Sequence, residues 1–244
     1  MELSENAKAF DSIVNHRRAT RLYDRKANFD EGAVVRSLER ALLAPSSSNM
    51  QLSEFYRVKT SEKKEELADY CMAQASAKTA NELIAIVIRP DKWKERQQFL
   101  VKALRESFGD KIGKKEQSTL DYYEKLIPTL YMNDPFGVSS LIKKISSSIL
   151  GMNKPTPREI TATDVRIIAH KSAALAAQTF MLSMAAEGYD TCPMEGFDSE
   201  RAKKLLNLPS AAEITMIVSV GKRSPKGIIG QRVRLKPEEV IFTI

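Results

Sequence analysis

From Ser172 to Ala186 the chain runs 15 residues without a charge, and Ala, Ser, Leu and Met dominate the run. Wound at 3.6 residues per turn, this segment is apolar or small on every face, and such a helix has to be covered on all sides. Thr161 and Asp164 form a capping-box pattern ahead of it and Gly188 a stop behind it, so the spacing predicts one long helix between them. The uncharged run is shorter than the ~20 residues that span a bilayer. The expectation is a helix through the middle of a domain or at a subunit interface. Its small side chains admit a second helix at close range, which favours a homodimer.

The rest of the chain surrounds that helix with shorter elements. Asp30 is placed to cap a helix carrying Val35, Leu38 and Leu42 on one face and ending at Ala44-Pro45. Glu54–Lys59 reads as a strand, residues 62–76 as a helix, and Ile84–Ile88 as a strand apolar on both faces. An amphipathic helix is expected over 91–108, a capped helix from Asp198 or Ser199 to Leu208, and an alternating strand from Ile214 to Gly221. The terminal VIFTI reads as an edge strand. Helices outnumber scattered strands, so the class is α+β with one mixed sheet, in a single domain spanning 1–244.

Residues 109–160 are less regular, broken by Pro128, Pro135, Pro155 and Pro157. Within them Phe136–Leu150 is amphipathic, with Leu141, Ile142, Ile145 and Ile149 beside Lys143 and Lys144. A helix packed over the core is the expected outcome, with a membrane-surface or lid role as the alternative. The N-terminal stretch carries acidic residues where a secretion signal needs basic ones, and the whole pattern is that of a soluble, cytoplasmic protein without stable membrane insertion.

The charge balance is 38 Lys+Arg against 31 Asp+Glu, a net +7. Much of it lies in two clusters, Arg17, Arg18, Arg21, Arg25 and Lys26 near one end and Lys222, Arg223, Lys226, Arg232, Arg234 and Lys236 near the other. Arginine forks grip phosphate oxygens in pairs, so two such clusters could converge on one anion; a solvated surface is the plainer reading of charge alone. A nucleic-acid surface would interleave aromatics with the cations, and only Tyr23 lies near. Two cysteines without a CxxC and two histidines without ligand spacing leave no metal cluster or disulfide framework. Cys71 and Cys192 read as small packed apolar residues.

Four local features occur in order: HRRATRLY at 16–23, APSSSNMQ at 44–51, GYDTCPMEGFD at 188–198, and GKR at 221–223 followed by RVR at 232–234 and EEV at 238–240. Together they resemble the nitroreductase family of FMN-dependent oxidoreductases over the whole chain except about 109–160, where that family inserts variable substrate-capping helices.

The resemblance implies an intertwined homodimer with a mainly antiparallel central sheet flanked by helices, and a bound FMN. Arg17, Arg18, Ala19 and Arg21 match the motif holding the phosphate, ribityl chain and pyrimidine edge, with Arg21 nearest N1 and O2. Arg232 and Arg234 match a late basic pair closing on the phosphate. Pro45, Ser46, Ser47 and Asn49 match a loop that lines the flavin from the partner subunit. Pro193, Met194, Glu195 and Gly196 match the turn whose backbone N–H points at N5, so Glu195 acts through its backbone rather than as an acid or base. Gln74 falls where the family places an amide against the pyrimidine side; its position one turn beyond Cys71 independently suggests a buried partner.

The implied chemistry is ping-pong: NAD(P)H gives hydride to flavin N5, which passes it to a nitroaromatic, quinone or similar planar acceptor. No side chain need be catalytic and no metal is required. The same resemblance admits a flavoenzyme with another reaction, such as reductive dehalogenation or flavin cleavage, or an FMN-binding protein without turnover. Two departures bear on this: Ala19 stands where a serine is usual, and Leu52 and Ser53 where Pro and commonly Trp occur, beside the substrate channel. Tyr122, Tyr123, Tyr131 and Phe136 are candidates to line that channel, though packing is the plainer role for each.

Overall fold

The computed structural model describes residues 3–110, 112–132 and 138–244. Phe136, and the start of the amphipathic stretch named above, lie outside them. Four strands form one sheet in the order β1-β2-β4-β3: β1 Ser53–Val58, β2 Glu82–Ile88, β4 Glu213–Gly221 and β3 Asp190–Met194. Every neighbouring pair is antiparallel. The parallel component expected of a mixed sheet reduces, among the described residues, to one isolated bridge between Ala19 and Thr191.

Strand β2 sits inside the sheet and all seven of its residues are buried, as its unbroken apolar run requires. Strand β3 escapes sequence reading because Pro193 lies within it. Proline is tolerated there because β3 is an edge strand, paired only with β4.

The long helix α9 (Ala162–Ala186) covers one face of the sheet, and its capping box between Thr161 and Asp164 forms as expected. Ala173, Ala177, Phe180 and Met184 join Ile84, Ile86, Val218 and Val220 in one core. Coverage is incomplete, however. Leu175 is 50% exposed, and Ala174, Gln178 and Ala186 are exposed on the same side. Beside that stripe lie α1 (Glu5–His16) and α2 (Glu31–Ala41), with Phe10 55% exposed. Phe10, Ile13, Thr179, Leu182 and Ala186 line a groove of about 540 Å³ there.

The opposite face packs a second core from α3 (Ser61–Tyr70), α4 (Ala75–Thr79) and α10 (Ser199–Leu205), with Leu67, Cys71, Ala77, Cys192 and Ile217 at its centre. The helix expected over 62–76 is broken here. Met72 and Ala73 take φ of +56° and +50°, ending α3 and restarting the chain as α4 with Gln74 as its N-cap. The helix capped by Asp30 ends at Ala41, three residues short of Ala44.

Between 89 and 161 come α5 (Trp93–Phe108), α6 (Lys114–Asp121), a π-helical turn at Tyr122–Leu126, α7 (Ile127–Tyr131) and α8 (Val138–Leu150). Tyr131 packs into the core, its ring stacked on Trp93 at 5.9 Å. Helix α8 overturns the expectation of a core-packed face, because Leu141, Ile142, Ile145 and Ile149 all point to solvent. The C-terminal edge strand is also absent. After the short α11 (Pro237–Val240), Ile241, Phe242 and Ile244 are exposed and pair with no strand. VIFTI joins no strand of the described sheet.

Candidate functional site

The basic segment after α1 becomes a strap laid across the end of the sheet. The Thr20 N–H donates to the Thr191 carbonyl at 3.1 Å, Arg21 N–H to Gly227 at 2.6 Å and Asp24 N–H to Lys222 at 2.8 Å. Tyr23 anchors it: its ring is buried, and its hydroxyl donates to the Ser219 carbonyl at 3.0 Å, with burial holding the phenol well above its ordinary pKa. The strap and the loop after β4 approach so closely that a Cβ on Gly227 would sit 2.5 Å from the Leu22 carbonyl. Only glycine fits there.

A buried carboxylate locks the two chain ends together. Asp190, at the start of β3, accepts from the Arg223 N–H at 2.9 Å and pairs with the Arg223 guanidinium at 2.5 Å. The same guanidinium donates to the His16 carbonyl at 2.9 Å, and His16 Nε2 stands 3.4 Å from Asp190. Sequence reading missed this network. Asp190 follows a helix stop and Arg223 lies in a basic run, so neither looked different from its surface neighbours.

The outcome is a single cleft of about 350 Å³ lined by Arg17, Arg18, Ala19, Arg21, Ile229, Gln231, Arg232, Val233 and Arg234. Five guanidinium-bearing residues line it and no carboxylate does. Burial, then the charges of Arg232, Arg234 and Arg18, hold Arg17 below the ordinary arginine range, the signature of cations crowded without a counter-charge. The cations are held in place by backbone. Arg18 donates to the Gly230 carbonyl at 3.1 Å and Arg234 to the Val233 carbonyl at 2.7 Å. Arg232 Nη2 reaches the carbonyls of Val14, Asn15 and Arg17 at 3.2, 2.9 and 2.8 Å, capping the end of α1. The donor set suits a phosphate: forked, preorganised and free of acidic competition.

The remaining predicted residues, at and beyond the end of β3, do not line this cleft. Pro193 and Met194 end the strand, and Glu195 and Gly196 are exposed just beyond it. A Cβ on Gly196 would meet nothing within 4 Å, so the turn faces open space. Gln74 is half-buried and its amide donates to the Gly196 carbonyl at 3.3 Å. Gln74 stands at the N-cap of α4 rather than on an extended α3.

The loop of Pro45, Ser46, Ser47 and Asn49 is not brought into the arginine cleft. Pro45 and Ser46 line a separate pocket with Ser53, Phe55, Arg96 and Ser172. Ser48 and Asn49 both have φ near +51° and Gln51 +50°. Side chains hold this left-handed run: Ser172 Oγ accepts from the Ser47 N–H, Ser46 Oγ from the Gln51 N–H, and the Tyr123 hydroxyl donates to the Ser48 carbonyl at 3.1 Å. Tyr122 bonds the Ser48 hydroxyl. Both tyrosines stand on the π-helical turn, a distortion frequent at functional sites.

The cysteines take no part in this chemistry. Both are free and buried, and burial pushes the Cys71 thiol up to about 12 and the Cys192 thiol upward as well. Among the described residues no cluster of His, Cys, Asp and Glu could hold a metal.

Helices on both faces of an antiparallel sheet, with an arginine cleft at its end, define an α+β protein. The model of the nitroreductase family matches residues 14–222, and the chain belongs to that family, whose members are flavoproteins. MhqN of Bacillus subtilis (strain 168), named as an NAD(P)H nitroreductase, is 44% identical over 62 residues, 23% of this chain and 30% of that protein. Protein DrgA of Synechocystis sp. (strain ATCC 27184 / PCC 6803 / Kazusa) is 24% identical over 215 residues, covering 88% of this chain and 84% of its own. The fold is shared with a nitroreductase from Exiguobacterium sibiricum 255-15 solved in complex with FMN, at a TM-score of 0.70 and 22% identity over 100% of this chain and 99% of that one.

Proposed function

We propose that this protein is an FMN-dependent oxidoreductase, taking hydride from NAD(P)H and delivering it to a nitroaromatic, quinone or similar planar acceptor. The observation that carries the reading is the cleft of Arg17, Arg18, Arg21, Arg232 and Arg234, in which no acidic group competes for the cations. Arg17, Arg18 and Arg234 would hold the FMN phosphate, while Arg232 holds the cleft's wall against α1. Arg21 would supply positive charge to the pyrimidine edge, where it stabilises a reduced, anionic ring. Gln74 and the exposed backbone of Glu195 and Gly196 would orient the ring from the β3 end. Bound FMN supplies the hydride chemistry; the chain supplies orientation and electrostatics.

The active unit in this reading is a homodimer. Pro45, Ser46, Ser47 and Asn49 lie outside their own arginine cleft, so a second copy has to bring them to it. The uncovered stripe on α9, the groove beside Phe10 and the unpaired apolar tail at 240–244 offer the surface for that copy.

The test is the visible spectrum of the purified protein incubated with FMN, before and after NADPH, with nitro compounds and quinones added in turn. Flavin absorbance that bleaches with NADPH and returns with an acceptor is expected. Protein that stays colourless after incubation with FMN overturns the reading, and flavin that never bleaches makes it a binding protein without turnover. Light scattering that finds an FMN-bearing monomer refutes the dimer.

A further inference from the structure

Helix α8 (Val138–Leu150) turns its polar side to the protein and its apolar side to solvent. Hydrogen bonds from the polar side fasten it. Ser140 Oγ accepts from the Ala162 N–H at 3.3 Å, and Lys143 Nζ donates to the carbonyls of Leu130 and Met132 at 3.0 and 2.8 Å. Ser147 is buried and its hydroxyl donates to the Pro157 carbonyl. Arg158 closes the far end, donating to the carbonyls of Ser147 and Gly151 at 3.0 and 3.1 Å. On the opposite side Leu141, Ile142, Ile145 and Ile149 are 60%, 58%, 52% and 61% exposed, and Met152 follows at 80%. Rolling the helix to bury these side chains would break all of those bonds. The outward aliphatic face is therefore built in, and a contiguous apolar face of this kind is an interaction surface.

Charge selects the occupant. Between Asp134 and Glu159 the sequence holds Lys143, Lys144, Lys154 and Arg158 and no acidic residue. Lys144 and Lys154 are exposed beside the aliphatic face. Purely aliphatic contacts rimmed by lysines suit lipid chains beneath anionic headgroups. At 13 residues, α8 is about 20 Å long, too short to cross a bilayer but suited to lie in its surface. The surface left for a second copy is not continuous with this face. Helix α8 bonds to the start of α9 at Ala162, while Leu175 lies about 20 Å further along the axis.

We infer that α8 docks this protein on an anionic lipid surface, with Leu141, Ile142, Ile145 and Ile149 among the acyl chains and Lys144 and Lys154 at the headgroups. The inference uses no residue of the arginine cleft and stands apart from the flavin reading.

The test is co-sedimentation of the purified protein, with and without added FMN, with two vesicle preparations. One is phosphatidylcholine alone and the other an equal mixture of phosphatidylcholine and phosphatidylglycerol. The protein is expected to pellet with the mixed vesicles and to remain in solution with the neutral ones. The double variant Ile142→Ser/Ile145→Ser should lose about tenfold or more in partition coefficient, and Lys144→Glu should weaken binding without any change in FMN content. Wild-type protein left in solution with the mixed vesicles overturns the inference. So does a serine variant that pellets as well as the wild type, or equal pelleting with both vesicle types. If the serine variant shifts from dimer to monomer by light scattering, the face belongs to a second copy and the lipid assignment falls.

Discussion

Arg232 Nη2 donates at 2.8 Å to the carbonyl of Arg17, 215 residues earlier in the chain. One arginine thus caps α1 and adds charge to the cleft, whereas Arg234 bonds its own neighbour's carbonyl. The two are expected to behave differently when removed. Arg232→Ala should lower stability by about 1–2 kcal/mol, the scale of lost charge-assisted hydrogen bonds. Arg234→Ala should change it by no more than about 0.5 kcal/mol. Both should weaken FMN binding, and the double variant should fold but purify largely free of FMN. Urea denaturation of the apoprotein and flavin fluorescence titration separate the two effects.

The buried Asp190–Arg223 pair is expected to matter more for folding than for chemistry. Arg223→Ala leaves the Asp190 carboxylate buried and stripped of its ion pair, at a cost of about 3 kcal/mol. The strap carrying Arg17, Arg18 and Arg21 loses an anchor at the same time. A fall in urea midpoint together with weaker FMN binding is the expected outcome; unchanged FMN affinity would disconnect the network from the site.

The loop at Ser48 is expected to respond to the π-helical turn. Tyr123→Phe removes the hydroxyl that bonds the Ser48 carbonyl and frees a run of left-handed backbone. KM for the acceptor should rise about 3–10-fold, while bound FMN per protomer stays constant. Steady-state kinetics with a small and a bulky quinone, beside flavin quantitation, would check this.

Acid should act through the end of α9. Hydrogen bonds from Arg36 and Arg40 hold Glu187 down to about 2, against an ordinary 4.5. The unfolded chain takes up that proton near 4.5 and the folded protein only near 2. The Glu187 contribution is therefore complete above 4.5 and drains away as pH falls from there toward 2. Glu187→Gln should flatten the pH dependence of thermal stability in that window and leave the neutral-to-alkaline side unchanged.

Where an element is set by its own residues, the sequence could be read directly. The unbroken apolar run at 84–88 and the Thr161 and Asp198 caps appear as expected, and the strand at 214–221 forms, but a register shift turns Ile214 into the other core from Met216, Val218 and Val220. Periodicity shows that α8 has two faces, but the bonds from Lys143 and Ser147 decide which one turns inward. Pro193 concealed β3 because tolerance of proline depends on the strand being at an edge. The arginines of the cleft were legible as a motif. Their backbone anchors were not, since Val14, Asn15 and Gly230 contribute only carbonyl groups, which every residue has.

The two walls of the arginine cleft are made at opposite times. Residues 17–21 leave the ribosome about 210 residues before residues 229–234. While the chain is being translated, the first wall waits without the second. A cleft with both walls thus exists only once residue 234 has been made, and a product cut short before residue 229 would carry the arginines of residues 17–21 without those that face them.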